Sequence, residues 1–315
     1  MKKTLLSVFS ILLGFSVIAQ NSAVLKLNPE KNKVYRFKST SEQTVSQTVN
    51  GIQQNILTNI SYSVSLKMLD MTKDFLVTEV HFDTLITNTN SMGKTTSINS
   101  TLEGDMKSSE AGDIMSCIMN RLSRNPVYVK LDYSGKPLEI VNLKMLQDMI
   151  LKDTSLITLT GPMGDAVKKQ VAGSIDNDNL KRMIEMFTWS LPAKEVSKGE
   201  KWEMIQQVNS GGMFLDIKTT CQLDEIKGST AIISVESKIG AAANAKPIES
   251  AGATVTYDNL QGMSKSVMVT DIITGLPVTN EAKTHITGDL GVSGPGFNMQ
   301  IPMDINGESK VFSVR

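Results

Sequence analysis

The sequence predicts a mainly β (α+β) protein: curved antiparallel sheets from two related halves, with a central helical segment packed on the concave face. Three observations lead there. Residues 59–70 and 215–226 alternate apolar and polar side chains with period two, the pattern of strands buried on one face. Residues 142–187 instead repeat apolar positions at helical spacing. The strand and turn landmarks that precede this helical stretch recur after it in the same order.

Taken along the chain, Met1, Lys2 and Lys3 form a basic start, residues 4–18 are almost wholly apolar, and Val17-Ile18-Ala19 suits a signal peptidase. Residues 1–19 are therefore expected to be a secretory signal peptide, with Gln20 as the first mature residue. The apolar run is shorter than the roughly 20 residues a membrane helix needs. No cysteine lies near the cut to carry a lipid anchor. The expected product is soluble, periplasmic or secreted, and not a lipoprotein. Residues 20–30 are expected to be a short lead-in.

The first β-rich half spans 20–140. A strand opens at Lys33–Phe37, and a polar hairpin region follows through Asn50-Gly51. In the alternating segment Ile60, Tyr62, Val64, Leu66 and Met68 share one face, Thr72-Lys73-Asp74 turns, and residues 75–82 return. A short helix carrying Cys117 is expected near 110–122. The middle segment, 141–192, carries helices near 142–152 and 162–188, with Leu180, Met183, Ile184 and Phe187 on one stripe. Pro162 suits the first turn of a helix, and Leu191-Pro192 ends the segment. The second half, 193–315, opens at Lys201-Trp202-Glu203-Met204, alternates over 215–226, turns at Lys227-Gly228-Ser229 and returns over 230–235. A Gly-rich loop or hairpin tip is expected at 288–296, then a last pair of strands near 299–303 and 310–314.

The two halves align at two offsets. A shift of 155 places Met68 on Leu223, Met71 on Ile226 and Val80 on Val235; a shift of 140 places Val127 on Val267, Val129 on Val269, Gly135 on Gly275 and Pro137 on Pro277. The second half is thus fifteen residues shorter between the landmarks, where the first half carries the Cys117 helix. Internal duplication follows from two echoes in one order.

Composition bears on function mainly by exclusion. Removing Lys2 and Lys3 leaves 30 basic against 32 acidic residues, a net charge of −2. No basic field exists to hold nucleic acid or an anionic lipid surface. Aromatic residues make up 5 % of the chain, whereas there are 18 methionines, which fill irregular core gaps or line an adaptable apolar pocket. The two cysteines, Cys117 and Cys221, are read as separately buried thiols, with a disulfide between them, which export would permit, as the alternative. With only His81 and His285 there is no HExxH pair, and CxxC, Walker and GxSxG motifs are missing too. Glu79, His81 and Asp83 share a strand face, but neighbours there stand about 6.5–7 Å apart, too far to converge on an ion without a bulge. They are expected to form a solvated polar face, and His285 is expected at the surface. Asp176-Asn177-Asp178-Asn179 resembles the start of a calcium loop but lacks its Gly and Glu, so helix capping is expected. Gly291–Gly296 lacks a following helix and contains Pro295, so a turn is expected rather than a phosphate cradle. Asn59 and Asn99 begin glycosylation sequons, which carry little weight beside a bacterial-type leader.

The strand ending in Leu131-Asp132-Tyr133-Ser134-Gly135-Lys136-Pro137, the helical middle, Leu191-Pro192 and then Val196-Ser197-Lys198-Gly199-Glu200-Lys201-Trp202 resemble a family of secreted bacterial β-rich proteins of unknown function. That resemblance brings no catalytic, cofactor-binding or metal residue with it. A looser likeness to periplasmic lipoprotein and lipid carriers implies curved sheets over an apolar cavity. The expected function is that of an exported non-enzymatic protein binding an apolar ligand such as a lipid or lipidated peptide. The alternative is an envelope structural or interaction module with a protein partner and no small molecule. A hydrolase using scattered carboxylates is the third reading. No cofactor, no nucleic acid and no membrane span in the mature chain are expected.

Overall fold

The computed structural model describes residues 21–49, 51–188, 191–210, 213–243, 245–250 and 253–314. The predicted signal peptide, residues 1–19, lies outside them. The chain runs through β1 (Ser22–Leu25), β2 (Val34–Val49), β3 (Ile52–Met71), β4 (Leu76–Ser91), β5 (Lys94–Asn99), α1 (Ala111–Ser123), β6 (Val127–Leu131) and β7 (Pro137–Ile140). The helices α2 (Leu143–Ile150), α3 (Gly161–Ser174) and α4 (Asn177–Thr188) follow. Then come β8 (Lys194–Ser197), β9 (Lys201–Ser210), β10 (Met213–Lys227), β11 (Thr230–Ala241), β12 (Ile248–Ser250), β13 (Ala253–Asp271), β14 (Pro277–Gly294) and β15 (Phe297–Val314).

One curved, open antiparallel sheet dominates, in the order β7-β6-β4-β3-β2-β15-β14-β13-β11-β10-β9, with β5 beside β4 and β12 beside β13. The pairing order repeats. A hairpin of β3 and β4 hands on to β6 and β7, as β10 and β11 hand on to β13 and β14. The β15–β2 pair joins the two halves.

Both predicted Gly-Pro hairpins form, and an aspartate braces each. Asp132 Oδ1 accepts from the Ser134 and Lys136 amides at 2.8 and 3.0 Å. Asp271 Oδ1 accepts from the Ile273 and Thr274 amides at 3.0 and 2.8 Å. Gly135 and Gly275 take φ of +90° and +71° in these turns, a conformation that strains any residue with a Cβ.

The lead-in has more structure than the sequence suggests. β1 pairs with β8, and the strap that follows crosses both turns: the Leu27 amide donates to Tyr133 O (2.9 Å) and the Asn28 amide to Thr274 O (2.8 Å). Leu25 and Leu27 are buried.

The strands are also longer than alternation predicts. The polar hairpin region after Phe37 forms as the β2–β3 hairpin, with the rest of β2 extended up to Val49, and the Gly-rich 288–294 is strand, with the turn confined to Pro295-Gly296. The expected last pair of strands is the single strand β15, in which Gly307 lies opposite both Thr284 and Gln43. A strand with ladder partners on both sides keeps its hydrogen bonds through Gly and Ser, so pairing overrides local propensity.

The helices cover the first half. Ile114, Ile118 and Leu122 of α1 and Leu180, Ile184 and Phe187 of α4 pack with Val64, Leu66, Val80 and Phe82 of the sheet. The Phe187 ring lies 6.1 Å from that of Phe37. Asp176 caps α4, accepting the Asn179 amide at 2.6 Å. A second cluster joins Ala23, Leu25 and Val196 to Trp202, Cys221 and Leu223. Cys117 and Cys221 are buried in separate clusters with no disulfide between them. Among the described residues, no helix is long and apolar enough to cross a membrane.

Candidate functional site

Alternation gives the middle strands two different faces. On β14, Glu281, Lys283 and His285 point to one side, and Ile286 and Leu290 to the other, opposite Ile305 and Ile301 of β15.

The apolar side forms a third cluster: Leu215, Leu260, Ile286, Met303 and Ile305 are buried, with Val45, Met213, Ile217, Ile239, Tyr257 and Leu290 packed against them half-exposed. It runs across β2, β15, β14, β13, β11 and β10, near the end of the strands where the hairpins β2–β3 and β14–β15 turn. Among the described residues, it contains no helical residue. Two local devices build it. The register shift between Asp258 and Gln261, with Asn259 at φ +52°, adds a residue to β13 and brings both Tyr257 and Leu260 to this side. Gly288 leaves room for Leu260, whose Cδ2 would lie 2.6 Å from a Cβ there. Burial pushes the Tyr257 phenol up from its ordinary value, as an apolar setting requires.

The opposite face holds a furrow of about 1840 Å³ that crosses nine strands, from Asn88 on β4 to Lys201 on β9. Its charges are matched across strands: Lys283 with Glu308 (2.8 Å), Lys310 with Glu281 (2.6 Å) and Lys265 with Glu236 (3.8 Å), while His285 Nε2 lies 3.1 Å from Asp304 Oδ2. Such exposed pairs add little stability. Together they leave the furrow without a field of one sign.

The other residues singled out in the sequence do not assemble a site. His81 Nε2 lies 3.0 Å from Glu79 Oε1, while Asp83 accepts from the Ser65 hydroxyl, so the three do not converge. Among the described residues, no group of three His, Cys, Asp or Glu side chains could hold a metal ion. Asp176 serves as a cap, and Gly291 and Gly294 lie in a strand. The apolar cluster escaped the sequence reading because the bulge breaks its alternation and because residues 288–296 resemble a loop. Its trace in the sequence is the absence of charge from 290–303.

Fold and faces together define an open, curved antiparallel sheet with a helical cover over one half. The family described as "Family of unknown function (DUF6263)" matches residues 74–277, and the chain belongs to it. No curated protein matches the chain. Among solved structures, an outer membrane channel from Pseudomonas putida F1 is similar at 8 % identity and a TM-score of 0.26, covering 91 % of this chain and 97 % of that one. The translocator domain of the autotransporter NalP from Neisseria meningitidis is similar at 5 % identity and a TM-score of 0.22, covering 91 % and 90 %. TM-scores this low carry no argument about fold or function.

Proposed function

We propose that this is an exported, non-enzymatic binding protein, periplasmic or secreted, that holds an apolar ligand such as a lipid or the acyl group of a lipidated peptide. The carrying observation is the apolar face of β10, β11, β13, β14, β15 and β2, whose rim residues are only half-buried and which, among the described residues, no helical residue joins. Half-exposed apolar side chains on one continuous face favour an apolar occupant, because each square ångström removed from water contributes about 25 cal/mol. The acyl chain would lie along Leu290, Tyr257 and Ile239.

Native mass spectrometry of the protein purified from its own envelope fraction, with organic extraction, tests this. A discrete added mass that extracts as lipid, and that Leu290→Asn diminishes, is expected. A clean apo mass would overturn it. The second reading, an envelope interaction module without a small-molecule ligand, has the furrow in its favour. An apo mass together with a crosslinked envelope protein mapping to Lys265 or Lys283 would support that reading instead.

A further inference from the structure

Three hairpin tips lie at one end of the long strands, and each carries a large apolar side chain in water. Ile52 follows the β2–β3 turn and is 66 % exposed, Met92 forms the β4–β5 turn at 77 %, and Phe297 follows the β14–β15 turn at 44 %. The strands that carry these tips are neighbours in the order β4-β3-β2-β15-β14, so the tips line a rim five strands wide, about 20 Å at the usual strand spacing. The registers place the tips at the same end: Val49 pairs with Ile52, Ile56 with Ser91, and Gln47 with Met303.

Charge is distributed along the same axis. Residues 43–66, 84–93 and 290–303 contain no Asp, Glu, Lys or Arg. From Asp304 to the turn at Gly296 the strand is uncharged over about 25 Å, at ~3.3 Å per residue. Charges flank the rim rather than sit on its five strands: Lys94, just past Met92-Gly93, pairs with Glu110 at 3.6 Å, and on the other side Lys246 and Glu249 lie in the β11–β13 connection, where Glu249 reaches the level of Ser293 through Thr254 of β13. The other end of these strands is charged, with Lys31, Asp70, Lys33 and Glu30 in two ion pairs.

We infer that this rim docks on the surface of a neutral phospholipid bilayer, with Ile52, Met92 and Phe297 as the inserted side chains. A bilayer interface accepts apolar tips and neutral polar groups, and it penalises charge that must leave water. The rim has that composition. The chain has no basic excess to bind an anionic surface, so the insertion is hydrophobic rather than electrostatic. The inference rests on the apolar-ligand reading for its purpose, since the rim opens onto the apolar cluster through Met299 and Ile301 of β15. It is tested separately.

The test is flotation of the processed full chain with phosphatidylcholine vesicles, comparing wild type with the combined variant Ile52→Gln, Met92→Gln, Phe297→Gln. All three sites are exposed, so far-UV circular dichroism should be unchanged. Wild type should float with the vesicles at low and high salt alike, and the variant should partition at least tenfold less. Leu138→Gln, at an exposed position on β7 away from the rim, should bind like wild type. Wild type that stays with the aqueous phase, a variant that floats equally, or flotation that needs anionic lipid would each overturn the inference. A protein that purifies with an extractable lipid but ignores vesicles would refute the docking and leave the ligand reading standing. One that floats through the rim yet purifies as an apo protein would do the reverse.

Discussion

Gly275→Ala isolates the strap that ties the chain's beginning to its two hairpin turns. Gly275 has φ +71°, and a Cβ there would lie 2.1 Å from the Lys26 carbonyl oxygen and 2.9 Å from Leu27 Cα. The left-handed backbone alone costs alanine about 1–2 kcal/mol. The clash adds to this, because the obstacle is backbone and cannot swing aside. Moving it strains the Leu27–Tyr133 and Asn28–Thr274 hydrogen bonds, each contributing about 1 kcal/mol, and lifts Leu25 and Leu27 toward water. Full exposure of each leucine would cost about 1.5–3 kcal/mol, so a partial displacement brings the expected loss to about 3–5 kcal/mol. Gly228→Ala is the control: Gly228 has φ +60°, with nothing within 4 Å of its virtual Cβ, so only the backbone penalty of about 1–2 kcal/mol applies. Urea unfolding gives both values, and limited trypsin digestion at Lys26 and Lys31 reports release of the strap. Equal losses for the two variants, with no faster cleavage, would refute the claim that the turns hold the strap.

Two further predictions concern α4. Asp176→Ala removes the acceptor of the Asn179 amide and should cost about 1 kcal/mol in urea unfolding, whereas Asp176→Asn should keep most of the stability. Glu185 on α4 accepts from Gln206 Nε2 of β9 at 2.8 Å, and burial holds its carboxyl above the ordinary carboxylate range. A raised folded pKa means that the native state holds a proton the unfolded chain has released, so this group's contribution is full below the unfolded value and is lost as pH rises through the folded one. Glu185→Gln should therefore match or exceed wild type near pH 7 and lose that advantage toward pH 4; a difference independent of pH would show that burial does not set this carboxyl.

The helices and the apolar parts of the strands were legible in the sequence, because a buried stripe imposes its period on the residues that form it. Leu180, Ile184 and Phe187 mark α4, and Val64, Leu66 and Met68 mark β3. The polar ends of the strands were not legible. In the far part of β2, Ser, Gln and Thr occupy both faces, so no alternation remains; what holds that stretch extended is its pairing with β3 and β15, which lie far away in sequence. The strap was missed for a related reason. Ala23, Leu25 and Leu27 alternate, but their partners at Val196, Lys194 and Tyr133 are known only once the chain has folded.

The fifteen-residue difference between the halves bears on the candidate site. In the first half the connection from β4 to β6 carries β5 and α1, and α1 packs on β4 and β5 to seal their apolar face. In the second half the matching connection, from β11 to β13, carries β12 alone among the described residues. The strand standing where β4 stood is β11, and its Ile239 is only half-buried, beside Ile217 of β10 and Tyr257 of β13. A repeated pairing order with an unequal cover thus yields one half covered by helices and one half whose third apolar cluster no described helical residue covers. Leu290 of β14, opposite Ile301, is the part of that surface that lies on the uncharged rim strands. A face left open merely for want of a cover would gain nothing from a rim free of charge, whereas a face that receives apolar chains from a bilayer would need both.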